Sequence, residues 1–274
     1  MLYIFTAIYC EAEPLIKRYD LSPDAGYPFG GFVSSDGRIR LILTGIGKTL
    51  ASAAVAHSCA RYRISSDDIL INIGTCGGGT ARTGAYLINK VIDGDSGRTF
   101  YPDMLYSTPL GESAITTVSV FATPDDTAAD ELMLWDMEAS GFCDAARLFV
   151  PPHRIVLIKA VSDNGSDSKK DLDGELLNSA VSRNLDDIAA AIEVFLKIGE
   201  TAVCGMSDTG DLAEEFKCSE TMRSDLEKLI IYCRNSGRDH VEIIDGMRRD
   251  GILPAAHRNA GKGALNEFRR RLLQ

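Results

Sequence analysis

The sequence predicts an α/β fold: a single central sheet, mixed and twisted, flanked by helices and followed by a helical C-terminal appendage. Three observations predict it. Short apolar, β-branched runs alternate with glycine-punctuated turns and helical patterns from residue 2 to about residue 198. The chain of 274 residues is 45% apolar and 25% charged, so it can bury a large core without disulfides. Charge also changes along the chain: Lys217 to Gln274 hold 12 Lys+Arg against 8 Asp+Glu, the remainder 17 against 31, and the whole is −10. The expected organisation is an α/β domain over residues 1–199, a linker over 200–216 and a basic helical extension over 217–274.

The elements follow in order. Leu2 to Ile8 is short, apolar and rich in β-branched and aromatic residues, the pattern of a buried strand. Glu13 to Tyr19 has helical spacing, and Gly26 to Gly31 is a loop. Phe32-Val33 and Ile39 to Leu43 flank Ser34-Ser35-Asp36-Gly37, a hairpin signal. Thr44-Gly45-Ile46-Gly47-Lys48 leads into an Ala-rich helix, Thr49 to Arg61. Asp68 to Ile73 is a strand expected to end in the turn Gly74-Thr75-Cys76-Gly77-Gly78-Gly79. Ile115 to Phe121 is β-rich, and Ala139, Phe142, Cys143 and Ala146 share one helical face that starts at Glu138. Ile155 to Val161 is a strand, with Ser162-Asp163-Asn164-Gly165 as its C-terminal loop, and Leu185 to Ile198 is an amphipathic helix. Ser219 to Tyr232, His240 to Asp250 and Gly263 to Leu273 read as three further helices.

Several classes are disfavoured. The seven cysteines are odd in number and contain no C-x-x-C pair, which argues against a disulfide framework or a zinc knuckle. Reduced thiols in a cytoplasmic protein are the expectation. No basic residue precedes the apolar start, and no apolar run reaches the roughly 18 residues of a membrane helix, so neither a signal peptide nor a membrane partner is expected. The acidic main body disfavours a nucleic-acid-binding core, and the interleaved acids of the tail disfavour it there.

Functional candidates lie where strands end, since open α/β sheets bind ligands at the carboxyl ends of their strands. Glu138 in an apolar helix is a buried carboxylate, which is costly unless it is paired or used. Asp163 follows a strand, and Glu11 follows the first one. Taken singly, each admits a structural role: a partner for a Lys or Arg, a helix cap, a solvated helix face.

Five segments in order carry more weight: Ala7-Ile8 with Glu11-Ala12; Thr44-Gly45-Ile46-Gly47-Lys48; Ile71-Asn72-Ile73-Gly74-Thr75-Cys76-Gly77-Gly78; Asp136-Met137-Glu138-Ala139; and Lys159-Ala160-Val161-Ser162-Asp163. Together they resemble the nucleoside phosphorylase/nucleosidase superfamily, most nearly its methylthioadenosine/S-adenosylhomocysteine nucleosidase branch. The resemblance covers about residues 1–198. It implies that Glu11 orders a nucleophilic water, in a pocket that includes Gly74, Thr75 (where the family usually has Ser) and Ile46. It implies that Glu138 accepts hydrogen bonds from the ribose hydroxyls, with Met137 against the sugar. Asp163, oriented by Ser162, would protonate the departing purine at N7, and Phe121 with Ala122 would stack on the base.

The chemistry is consistent with those roles. Breaking an N-glycosidic bond builds positive charge on the sugar and negative charge on the base. A carboxylate stabilises the first and a carboxylic acid neutralises the second, with general acid catalysis contributing roughly 10²–10⁴-fold. The nucleophile is the main fork. A phosphate site favours the forked donors of Arg. Phosphorylases of this superfamily carry Arg two residues before the glycine segment, where this chain has Asn72. The expectation is therefore a purine nucleosidase using water, with 5′-modified adenosines first among the substrates and no metal or redox cofactor. A phosphate-dependent phosphorylase is the alternative. A non-catalytic nucleoside-binding or adaptor protein using the basic C-terminal helices is a second alternative, from another class. The resemblance also implies a homodimer or higher homo-oligomer.

Overall fold

Leu2–Thr6 (β1) is buried along its whole length between two parallel neighbours, Ile39–Leu43 (β4) and the first half of Ile69–Gly78 (β5). Its side chains alternate between layers. Tyr3 and Phe5 pack with Val55 and Phe142, whereas Leu2 and Ile4 pack with Leu15 and Ile192. A strand covered on both faces is apolar at successive positions, which accounts for the uninterrupted run. The structure is a computed structural model that describes residues 1–24, 29–79, 82–120, 133–163, 173–203, 209–236 and 238–272, with 198–203, 209–210 and 234–235 described by backbone alone.

The described strands form one ten-stranded mixed sheet. Beyond β4, Gly31–Val33 (β3) completes the expected antiparallel hairpin and Ser22–Pro23 (β2) adds the edge. On the other side the sheet closes on itself. Ile155–Asp163 (β10) runs parallel to β5 and antiparallel to Ala85–Asp93 (β6). Strand β6 pairs with Gly111–Thr117 (β8), β8 with Leu134–Asp136 (β9), and β9 returns to the upper end of β5 at Gly77 and Gly78. Thr99–Phe100 (β7) flanks β6. Five strands thus form a ring whose seam, β5 with β9 and β10, gathers the candidate residues.

Helices Lys48–Tyr62 (α2) and Ala139–Ala146 (α3) cover one face, and Tyr9–Arg18 (α1) and Leu185–Val203 (α5) cover the other. The α2–α3 contact is close because Gly141 has no side chain: a Cβ there would come within 2.2 Å of the Lys48 carbonyl oxygen. Ser52 Oγ donates to the Gly141 carbonyl at 2.7 Å. Gly174–Arg183 (α4) is tied to α1 through a defect. Pro14 has no N–H for the carbonyl of Cys10, and Asn178 Nδ2 donates to that carbonyl instead, at 2.9 Å, while also meeting Glu13.

Four expectations are corrected. The glycine segment 74–79 is not a turn: β5 continues to Gly78, because its glycines leave room for neighbouring side chains rather than for a bend. Helix α1 begins at Tyr9, so Glu11 lies in its first turn rather than ahead of it. The strand expected over Ile115 to Phe121 spans Gly111–Thr117, and Phe121 and Ala122 lie outside the described residues. The expected linker over 200–216 carries Thr209–Glu215 (α6), and Leu212 and Phe216 belong to a core.

That core is the second compact unit, Ala202–Gln274, the first being Met1–Thr201. It joins α6 to Glu220–Asn235 (α7), His240–Arg249 (α8) and Arg258–Leu272 (α9) around Phe216, Leu226, Ile230, Met247 and Phe268. A Cβ on Gly261 would lie 1.8 Å from the Phe216 carbonyl oxygen, so α9 meets the end of α6 backbone to backbone. Arg248 forks onto Glu215 at 2.7 and 3.0 Å. Cut at this boundary, residues 202–274 hold 12 Lys+Arg and 12 Asp+Glu. The basic surplus disappears, because Asp208, Asp211, Glu214 and Glu215 fall on the same side of the boundary as the cations that follow.

Candidate active site

Glu11, Glu138 and Asp163 come from three elements far apart in sequence and line one cavity of about 440 Å³. That volume suits a small molecule. The carboxylate-bearing residues are 4%, 8% and 8% exposed, so each is largely withdrawn from water. Thr75, Met137, Ser162 and Ile46 also face this cavity. Gly74 stands behind it: a Cβ there would come within 3.2 Å of Glu11 Oε1.

Glu11 is fixed from two sides. Its Oε1 accepts from the Thr75 backbone N–H at 2.7 Å and from Thr75 Oγ1 at 2.6 Å, and its Oε2 accepts from the Ile8 N–H at 3.3 Å. Thr75 therefore holds Glu11 through both its N–H and its hydroxyl, and its methyl does not prevent it.

Glu138 stands at the start of α3 but does not cap it. Asp136 Oδ2 accepts from the Ala139 N–H at 2.8 Å, and Thr117 Oγ1 accepts from the Ser140 N–H at 2.9 Å. With the cap supplied elsewhere, Glu138 Oε1 accepts from the Gly47 N–H at 2.8 Å. Gly47 has φ +100° and Gly45 φ +83°, backbone angles that favour glycine, and they turn the N-terminus of α2 toward this carboxylate. Burial pushes Glu138 up to about 7, against the pull of the Lys159 ammonium and with the push of the Asp136 carboxylate.

Beneath the cavity, Lys159 Nζ pairs with Asp136 Oδ2 at 2.8 Å, and both side chains are sealed from solvent. Burial alone would lower the Lys159 ammonium, but Asp136 and then Glu138 hold it above its ordinary value. One buried cation thus offsets part of the negative charge gathered here. The functional reading of the sequence assigned Lys159 and Asp136 no role; a lone lysine inside the apolar run Ile155 to Val161 was the available signal.

At the opposite end, Ser162 Oγ donates to Asp163 Oδ2 at 2.8 Å and also approaches the Cys76 carbonyl at 3.3 Å. Asp163 is the last residue of β10 rather than part of a following loop, and it pairs in register with Gly77. Asn72 stands apart from the cavity lining: its Nδ2 donates to the Phe5 carbonyl at 3.1 Å. Trp135 was also unassigned by the sequence and lies against Gly77 as a cavity wall. Among the described residues, no cluster of three His, Cys, Asp or Glu is placed to hold a metal, and no helix is long and apolar enough to cross a membrane.

No protein-family model matches the chain, and no curated protein matches it. Solved structures do. The 5′-methylthioadenosine/S-adenosylhomocysteine nucleosidase of Streptococcus pneumoniae with a transition-state inhibitor is 19% identical, over 72% of this chain and 98% of that one, with a TM-score of 0.58. The Colwellia psychrerythraea enzyme in complex with adenine is 18% identical, over 72% and 94%, with a TM-score of 0.57. The Streptococcus pyogenes S-adenosylhomocysteine nucleosidase is 17% identical, over 70% and 95%, with a TM-score of 0.58. At such identities the likeness speaks for architecture. The chain has the nucleoside phosphorylase/nucleosidase fold, in the form seen in the methylthioadenosine/S-adenosylhomocysteine nucleosidases.

Proposed function

We propose that the protein is a purine nucleosidase, which cleaves the N-glycosidic bond of a purine nucleoside with water to give free purine and sugar. The observation that carries this reading is the convergence of Glu11, Glu138 and Asp163 on one cavity, each in a different setting. Glu11, held by Thr75, takes the proton of the attacking water. Glu138 accepts the sugar hydroxyls while Met137 and Ile46 pack against the ring, and its negative charge favours the cationic sugar as the bond breaks. Asp163, in its acid form and oriented by Ser162, gives its proton to N7 of the leaving purine. The structures that share this fold include complexes with adenine and with a transition-state inhibitor, which agrees with a purine ligand.

Water is favoured over phosphate. Asn72 occupies the position where phosphorylases carry Arg, and its amide is committed to the Phe5 carbonyl. Among the described residues, no Arg or Lys lines the cavity. Product analysis with and without inorganic phosphate tests the assignment. Equal rates with free sugar as product support hydrolysis. A rate that requires phosphate and yields sugar 1-phosphate overturns it.

A further inference from the structure

We propose that Asp93 is a positioning residue for the sugar-binding carboxylate, holding the start of α2 to the start of α3 so that the Gly47 N–H stays on Glu138; this rests on the nucleosidase reading and adds a residue to the same site. Asp93 closes β6 and is 5% exposed. Neither it nor Lys48 nor Ser140 lines the cavity.

A single oxygen makes the join. Asp93 Oδ2 accepts from Lys48 Nζ at 3.0 Å and from Ser140 Oγ at 2.7 Å. Lys48 follows Gly47, and Ser140 lies two residues after Glu138. The two arms therefore end beside the two partners of the Gly47–Glu138 hydrogen bond, which are 91 residues apart in sequence. Asp93 is itself anchored. Its Oδ1 accepts from the Ser96 N–H and from Ser96 Oγ, both at 2.8 Å, and its own N–H donates to the Arg98 carbonyl at 2.8 Å. Burial alone would raise the Asp93 carboxyl, but hydrogen bonds from Ser140, Lys48 and Ser96 hold it well below the usual carboxylate range, so it is ionised near neutral pH.

Gly47 needs such an anchor. Its φ is +100°, and a Cβ on it would meet nothing within 4 Å, so no neighbouring atoms pack against it from that side. Its neighbour Ile46 is 54% exposed. Lys48 also sits against its electrostatic preference. A cation in the first turn of a helix opposes the helix dipole, and the first turn of α2 has no acidic residue to offset it. Asp93 supplies the offset from a separate strand, and Asp95 accepts from the same ammonium.

Packing joins the same two helices, since the Lys48 carbonyl lies against Gly141 and Ser52 bonds to the Gly141 carbonyl. A purely structural Asp93 would add only stability to those contacts. Positioning makes a different demand: the loss on removing Asp93 must run through Glu138.

The test uses the full chain. Asp93→Asn keeps the shape and removes the charge. Lys48→Met cuts one arm at a partly exposed side chain and serves if the first variant does not fold. In protein labelled with [15N]glycine, the Gly47 amide should exchange with solvent at least ~10-fold faster in either variant. kcat/KM is measured for adenosine, inosine and 5′-methylthioadenosine, with each variant made also on a Glu138→Ala background. A misplaced Glu138 should cost about 10–10²-fold in kcat/KM. The same substitution should cost less than ~2-fold where the Glu138 carboxylate is absent. Unchanged Gly47 exchange overturns the assignment. An equal loss with and without Glu138 also overturns it and leaves Asp93 a stabilising residue. If the wild type cleaves none of the three nucleosides, the nucleosidase reading falls. In that case, or if Glu138→Ala is inactive, Gly47 exchange alone decides whether Asp93 holds the contact.

Discussion

Replacing Glu138 by Gln isolates the consequence of burying a carboxylate beside a sugar site. Burial raises this group from 4.5 to about 7, with Lys159 opposing and Asp136 reinforcing the shift. A raised folded-state value means that the folded protein holds the proton more tightly than the unfolded chain. The resulting stability is fully present below pH 4.5 and is lost as pH rises to about 7. The difference of about 2.5 units, at 1.36 kcal/mol per unit, amounts to roughly 3 kcal/mol. Gln keeps an oxygen for the Gly47 N–H but cannot ionise, so it escapes the loss. Urea unfolding followed by the fluorescence of Trp135, the only tryptophan, reports on the unit that contains the site. The stability of Glu138→Gln relative to wild type should rise by roughly 3 kcal/mol between pH 4.5 and pH 8. Parallel pH profiles for the two proteins would refute a desolvated, ionisable Glu138. In activity the same variant should weaken substrate binding and rate together, because the sugar contact exists before and during bond cleavage.

Two other outcomes follow from the site and the fold. Asp163→Asn retains size and hydrogen-bonding capacity but has no transferable proton; kcat should fall by about 10²–10⁴-fold with binding changed far less. The loss should be smaller for a nitrophenyl riboside, whose leaving group needs no proton, and near-normal purine release by the variant would remove Asp163 from the chemistry. Light scattering at working concentration should report at least a dimer, as the family resemblance implies, and an active monomer would contradict that.

Much of the architecture was legible in the sequence because local pattern encodes element type. The apolar run at β1, the turn signal before β4, the Ala-rich α2 and the helical spacing at α3 all formed where expected, with shifts of a few residues. Glu138 was legible because a carboxylate inside an apolar run carries an energetic cost, whereas Glu11 and Asp163 stood out only through the family resemblance of the segments that hold them. What local pattern did not contain was the closure of the sheet. The pairing of β9 with β5 joins segments more than fifty residues apart, and it depends on space left by Gly77 that a single strand does not reveal. The same applies to the Lys159–Asp136 pair, whose partners lie on different strands and meet only when the ring forms. The division between units was misplaced for a related reason. Composition located a change of charge at residue 217, but packing assigned α6 to the second unit because Leu212 and Phe216 need the apolar faces of later helices to leave water. Periodicity along the chain therefore determined what each segment becomes. Only tertiary structure decided which edges meet, and with them the wall of the cavity and the cation beneath it, because those contacts depend on side-chain volumes from strands that are neighbours in space alone.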